Sequence, residues 1–165
     1  MTFFWSYRTP EGFDDLRMCS DGEVLTGLWF AGKRGRVGEM SERLLPIFRE
    51  TCFWLDGYFA GRPPEKLPAF RLLGATPFRR AVSEEMRRIP FGATATYGEI
   101  AAAIARRRGV DRMSAQAVGG AAGWNPICIV IPCHRVVGAG GVLTGYGGGI
   151  GNKKALLEME RRGAR

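Results

Sequence analysis

Leu44, Phe48, Cys52, Leu55 and Phe59 recur at three- and four-residue intervals, which predicts a helix with one apolar face, capped by Ser41 and ending near Gly61. The segment before it has a different pattern. Residues 1 to about 40 read as strand-like, and residues 24–30 form a short β-prone run bounded by Gly22 and by the glycines at 32–38. Beyond the helix, the prolines at 63, 64 and 68 cannot continue helical pairing and predict a linker or extended crossing. A domain boundary is therefore expected near residue 74, with one unit at 1–73 and a second at 74–165.

The second unit opens on Thr76-Pro77, an N-cap followed by proline at the first helical position, with Phe78, Val82 and Met86 on one face up to Ile89-Pro90. Thr96-Tyr97-Gly98-Glu99 has the form of a capping box and starts a helix through Ile100 and Ile104. A third helix is predicted from Ser114 to about Ala121. With the turn at 108–111 between them, these two helices are a candidate helix-turn-helix, an arrangement that also occurs in proteins that bind nothing. Residues 127–131 are continuously apolar between prolines and predict a buried strand. Eight glycines from Gly138 to Gly151 then predict a loop able to approach a ligand closely, and residues 152–162 a closing helix with Leu156 and Leu157 facing inward.

Composition narrows the class. With 165 residues, 45% hydrophobic and 24% charged, the chain can bury a core in each half. Its net charge of +8 favours anionic partners such as nucleic acid, although short runs such as 106–108 and 161–162 also suit a solvated surface. No run approaches the roughly 18 apolar residues of a membrane span, and the start lacks the basic and apolar regions of a signal peptide. No membrane association is expected, and a cytoplasmic location is. Four cysteines without paired spacing and a single histidine support neither a disulfide framework nor a zinc site, and no cofactor site is legible.

Cys133 has the context of a nucleophile. It ends the predicted strand, precedes the only histidine, His134, and is followed by the glycine-rich loop. A free thiol with a pKa of about 8.5 needs a neighbouring base or cation to react near neutrality. Adjacent residues on a strand point to opposite sides, so direct contact of Cys133 with His134 requires a turn there or a bridging water. A carboxylate should orient the imidazole, and Glu160 on the final helix is the candidate. Cys19, Cys52 and Cys128 read as core thiols.

Residues 125–137, with Asn125-Pro126 and Pro132-Cys133-His134-Arg135, resemble the active-site segment of the O6-alkylguanine-DNA alkyltransferases. Supporting segments at 89–92, 96–101, 117–121 and 143–149, with weaker similarity at 25–30 and 55–61, extend the resemblance over nearly the whole chain. It implies a ribonuclease-H-like α/β N-terminal domain and a winged-helix C-terminal domain that binds the minor groove of double-stranded DNA and flips out the damaged guanine; the sequence does not give the oligomeric state, for which a monomer is the working expectation. It also implies irreversible single-turnover transfer of the alkyl group to Cys133, with O4-alkylthymine a poorer substrate. His134 and Glu160 would activate the thiol through a water, and Asn125 would hold the active-site turn. Tyr97 would place its hydroxyl on the ring N3, while the Val136 carbonyl and Gly147 amide would bind the polar edge of the base. Ser114, Gln116, Ala117 and Gly120, with Tyr146 and Lys153, complete the implied substrate- and DNA-binding set. Tyr97 also suits packing and Asn125 a turn, and the role of Arg135 stays open.

Gln116 stands where many relatives carry an arginine finger, and a neutral glutamine supplies neither cation stacking nor phosphate attraction. Weaker DNA binding or slower flipping is expected. Trp124, Ser83 and Met159 also depart from the pattern. The main alternative is a damage-sensing protein of the same fold that binds alkylated DNA without repairing it, though such relatives lack the acceptor cysteine present here. A winged-helix regulator would leave the glycines after Cys133 unexplained. A Cys-His hydrolase must regenerate its thiol, whereas a thioether resists water.

Overall fold

The computed structural model describes residues 1–33 and 38–164; part of the glycine turn expected at 32–38 lies outside the described residues. The first half builds a four-stranded sheet from β1 (Thr2–Tyr7), β2 (Leu16–Ser20), β3 (Leu25–Phe30) and β4 (Met40–Glu42), in the order β3-β2-β1-β4. β1 pairs antiparallel with β2 and β2 with β3, while β4 joins β1 in parallel. Helix α1 (Pro46–Phe59) follows.

Two details of that half differ from expectation. Ser41 lies in β4 and does not cap α1; the helix begins at Pro46, whose fixed φ suits the first turn, after Leu45. The buried face of α1 is also rotated, since Ile47, Phe48, Thr51, Trp54, Leu55 and Tyr58 are buried while Cys52 and Phe59 are only half-buried. The aromatic residues Trp54 and Tyr58 carry the larger apolar area to bury, and they set the face.

The second half is mainly helical. α2 (Pro77–Arg87) is capped by the Thr76 hydroxyl, which accepts from the Arg79 amide at 3.2 Å. α3 (Tyr97–Arg108) starts with the complete capping box of Thr96 and Glu99 and ends at Gly109, whose φ of 65° closes the helix in the left-handed conformation. α4 (Ala115–Trp124) is capped by Ser114, and α5 (Ile150–Gly163) closes the chain. The short strands β5 (Ala95–Thr96) and β6 (Val136–Val137) pair in parallel.

The strand expected at 127–131 does not form. Ile127 makes an isolated bridge to Leu28, and the chain then turns through Ile129 at φ 69°. That conformation is costly for a β-branched residue. Asn125 holds it: its Nδ2 donates to the Ile131 carbonyl at 2.9 Å and the Ile127 carbonyl at 3.3 Å, and its Oδ1 accepts from the Ile127 amide at 3.0 Å. The apolar run is buried, but as a pinned turn and not as an extended element.

Candidate active site

Cys133 begins a single 3-10 turn, Cys133–Arg135, at the end of the pinned loop. The tight winding removes the two-sided geometry of a strand, so Cys133 and His134 turn inward together and both are buried. Cys133 faces a cavity of about 250 Å3 lined also by Trp29, Tyr97, Trp124, Asn125, Cys128 and Tyr146, with the Gly145 to Gly148 backbone along one side. The Tyr146 hydroxyl is buried there with no hydrogen-bond partner among the described residues.

Behind Cys133 lies a fully buried ionic cluster. His134 Nε2 is 2.7 Å from Glu160 Oε1. Arg135 grips the same carboxylate through Nε, at 2.9 Å from Oε2, and Nη2, at 2.9 Å from Oε1; its Nη1 donates to the Ile89 carbonyl at 2.8 Å. The Gly92 amide and the Tyr58 hydroxyl complete the shell, at 3.1 and 2.7 Å. Burial raises the Glu160 carboxyl, but His134 and Arg135 more than offset this and hold it down at about 2. An ionised Glu160 makes Nε2 the protonated nitrogen of a neutral imidazole. Burial in turn keeps His134 below its ordinary pKa, so its Nδ1 carries a lone pair at rest. Nδ1 is buried with no partner among the described residues.

The Cys133 thiol is held below its usual pKa. The Cys128 side chain hydrogen-bonds to it, and Asn125, Tyr146 and the Lys153 cation act in the same direction against burial. Lys153 is fully buried and donates to the Val136 carbonyl at 2.6 Å. The arrangement can form a thiolate at the wall of the cavity, with a neutral base behind it whose far side is fixed by a carboxylate.

The residues proposed from sequence divide into three places. Tyr97, Asn125, Cys133, Tyr146 and Gly147 line the cavity. His134, Glu160 and Lys153, with the Val136 carbonyl, stand behind it. Ser114, Gln116, Ala117 and Gly120 are exposed on α4, and Gln116 lines a neighbouring groove of about 630 Å3 with Thr96, Tyr97, Gly119 and Thr144. The Thr144 hydroxyl donates to the Tyr97 hydroxyl at 3.2 Å. Sequence reasoning missed Tyr58, Trp29, Lys33 and Cys128 and left Arg135 open. Tyr58 had two visible signals, its place three residues after Leu55 on the buried face of α1 and its position inside the weakly similar segment 55–61. Trp124 lies under the Arg79 guanidinium, 4.6 Å from its ring centre, and forms part of the cavity wall.

A buried cysteine held below its usual pKa and backed by a His-Glu pair, beside a helix pair and an open groove, is a candidate thiol active site in a mixed α/β protein. Residues 77–162 match the family model of the 6-O-methylguanine DNA methyltransferase, DNA binding domain. A methylated-DNA--protein-cysteine methyltransferase of Mycobacterium bovis is 49% identical over 157 residues, covering 94% of this chain and 92% of the relative. The crystal structure of the Mycobacterium tuberculosis O6-methylguanine methyltransferase superposes with a TM-score of 0.85 at 38% identity, over 100% of this chain and 96% of that one. The same organism's OGT in complex with DNA gives 0.84 at 38% identity, over 98% and 94%. The chain belongs to the 6-O-methylguanine DNA methyltransferase family.

Proposed function

We propose that this protein repairs O6-alkylguanine in double-stranded DNA by irreversible transfer of the alkyl group to Cys133, one event per chain. The observation that carries the reading is the Cys133 thiol, held below its usual pKa at the wall of a cavity with room for one flat heterocycle and backed by His134 and Glu160. A base inside the duplex stack cannot reach such a thiol, so the guanine must be extruded, at least cost where damage has weakened pairing. In this reading the first half is ribonuclease-H-like and the second a winged helix, with α4 in the minor groove. The exposed small residues Ala115, Ala117 and Gly120 support close approach of that helix to DNA.

The unpartnered Nδ1 of His134 supports a water bridge to the Cys133 thiol, through which the proton leaves. The thiolate then attacks the alkyl carbon, the bond from carbon to O6 breaks, and its electron pair enters the purine. Tyr97 supplies a proton to ring N3, which returns a neutral guanine. The Gly147 amide at the cavity wall and the Val136 carbonyl orient the polar edge of the base. The imidazolium formed on His134 is stabilised by Glu160, and Lys153 supplies positive charge near the sulfur. The thioether product resists water, so the protein is consumed.

Intact mass after incubation with a duplex containing O6-methylguanine, followed by peptide mapping, tests this. One methyl group on Cys133, never exceeding one per chain with excess DNA, is expected. Retained lesion binding without any mass gain would replace repair by damage sensing.

A further inference from the structure

Cys128 is a second thiol in the reacting pocket, and the mechanism above does not consume it. It precedes Cys133 by five residues, and the loop between them is folded back by the Ile129 turn, by the Ile131 amide bond to the Ile127 carbonyl at 3.1 Å, and by the Asn125 pin. Both side chains line the same open cavity, and the Cys128 side chain is near enough to the Cys133 thiol to hold it below its usual pKa. The surrounding wall is otherwise built of aromatic rings, Lys33, Asn125, Ala122 and glycine backbone, with no other cysteine at the cavity. A depressed thiol that reaches solvent through a pocket and stands next to another cysteine is the pattern of a redox-sensitive pair.

We propose that Cys128 is a resolving thiol for Cys133, closing a reversible disulfide when a peroxide enters the pocket. The Cys133 thiolate attacks one peroxide oxygen, the O–O bond breaks, and a sulfenic acid and hydroxide result. The Cys128 sulfur then attacks the Cys133 sulfur, its proton and the displaced hydroxide leaving as water. Two thiols are oxidised by two electrons in total, and hydrogen peroxide is reduced to two waters. Sulfur separation must close to about 2.05 Å, which requires rotation of the two side chains and a shift of the turn between them. The disulfide removes the alkyl acceptor from service but protects it, because an unresolved sulfenic acid goes on to the irreversible sulfinic and sulfonic acids. That consequence rests on Cys133 being the acceptor; the disulfide chemistry does not.

The test uses the full chain. Alkyl transfer is first measured on reduced protein, which checks the acceptor reading separately. The protein is then treated with hydrogen peroxide, denatured, blocked with N-ethylmaleimide and mapped. Wild type should lose two hydrogens and two maleimide adducts, both within the peptide carrying Cys128 and Cys133, while Cys19 and Cys52 stay blocked. Dithiothreitol should restore the thiols and alkyl transfer. Cys128→Ala under the same treatment should gain two or three oxygens on Cys133, and dithiothreitol should not restore it; Cys128→Ser, which keeps size and a hydrogen-bond donor, serves if the alanine variant fails to fold. Sulfinic acid on Cys133 of the wild type with Cys128 still reactive, or equal recovery in wild type and variant, overturns the proposal.

Discussion

Glu160 accepts hydrogen bonds from Tyr58, Gly92, His134 and Arg135, and its low pKa makes the fold acid-sensitive in a defined window. A carboxyl at about 2 in the folded state, against an ordinary value of 4.5, adds stability that is complete above pH 4.5 and lost as pH falls toward 2. The shift corresponds to about 3 kcal/mol. Urea unfolding between neutrality and about pH 3 should show most of that loss, and a midpoint independent of pH would contradict it. In the proposed mechanism His134 sets the pH dependence of the reaction. Its pKa is depressed by burial, so the neutral base persists below the ordinary histidine range and the rate should stay level from neutrality down past about pH 6.5 before falling. Single-turnover transfer kinetics check this; a rate already halved above that pH would mean that His134 is not the base.

The helices of the second half were legible because their caps are local chemistry. Thr76-Pro77, the Thr96 and Glu99 box and Ser114 each satisfy backbone donors within four residues, and the structure uses all three. The active-site loop was not legible for the opposite reason. Residues 127–131 have the composition of a strand, and what overrides it is one side chain, Asn125, bonding to groups up to six residues away. Cys133 and His134 stood out in the sequence, but their shared inward orientation comes from a 3-10 turn that apolar patterning does not encode. Asn125→Ala removes three hydrogen bonds around a strained Ile129 and should cost about 3 kcal/mol. Chemical denaturation reads this directly, and a loss below about 0.5 kcal/mol would mean that other contacts hold the turn. On α4, Gln116 is exposed beside the groove without positive charge. Gln116→Arg should tighten DNA binding and steepen its dependence on log salt by about one unit. Unchanged affinity and rate would dismiss the missing arginine as a handicap.

The two halves of the chain meet at the reacting residues. β3 is hydrogen-bonded to the active-site loop, with the Leu28 amide donating to the Pro126 carbonyl and the Cys128 amide to the Leu28 carbonyl, each at 2.8 Å. Trp29 and Lys33 reach the cavity, and Asn152 of α5 bonds to Asp14 at 2.9 Å. The deepest of these links is Tyr58, fully buried on α1, whose hydroxyl donates to Glu160 and lies 3.3 Å from His134 Nε2. Chemistry carried on the second half is thereby tied to a side chain of the first, a long-range pairing with no sequence motif of its own. Tyr58 does not touch the cavity, so it acts by positioning: it holds Glu160 where it fixes the proton on His134 Nε2 and leaves Nδ1 free to accept. Tyr58→Phe keeps the ring packing against Trp54, Phe59 and Phe91 and removes only the hydroxyl. It should cost about 1 to 2 kcal/mol in stability. It should also slow alkyl transfer several-fold with lesion affinity unchanged, and move the acid limb of the pH-rate profile as the His134 and Glu160 pair loses a partner. A merely structural tyrosine would lower stability and leave that limb in place, so the profile, measured on folded variant at saturating DNA, decides whether the first half takes part in the reaction.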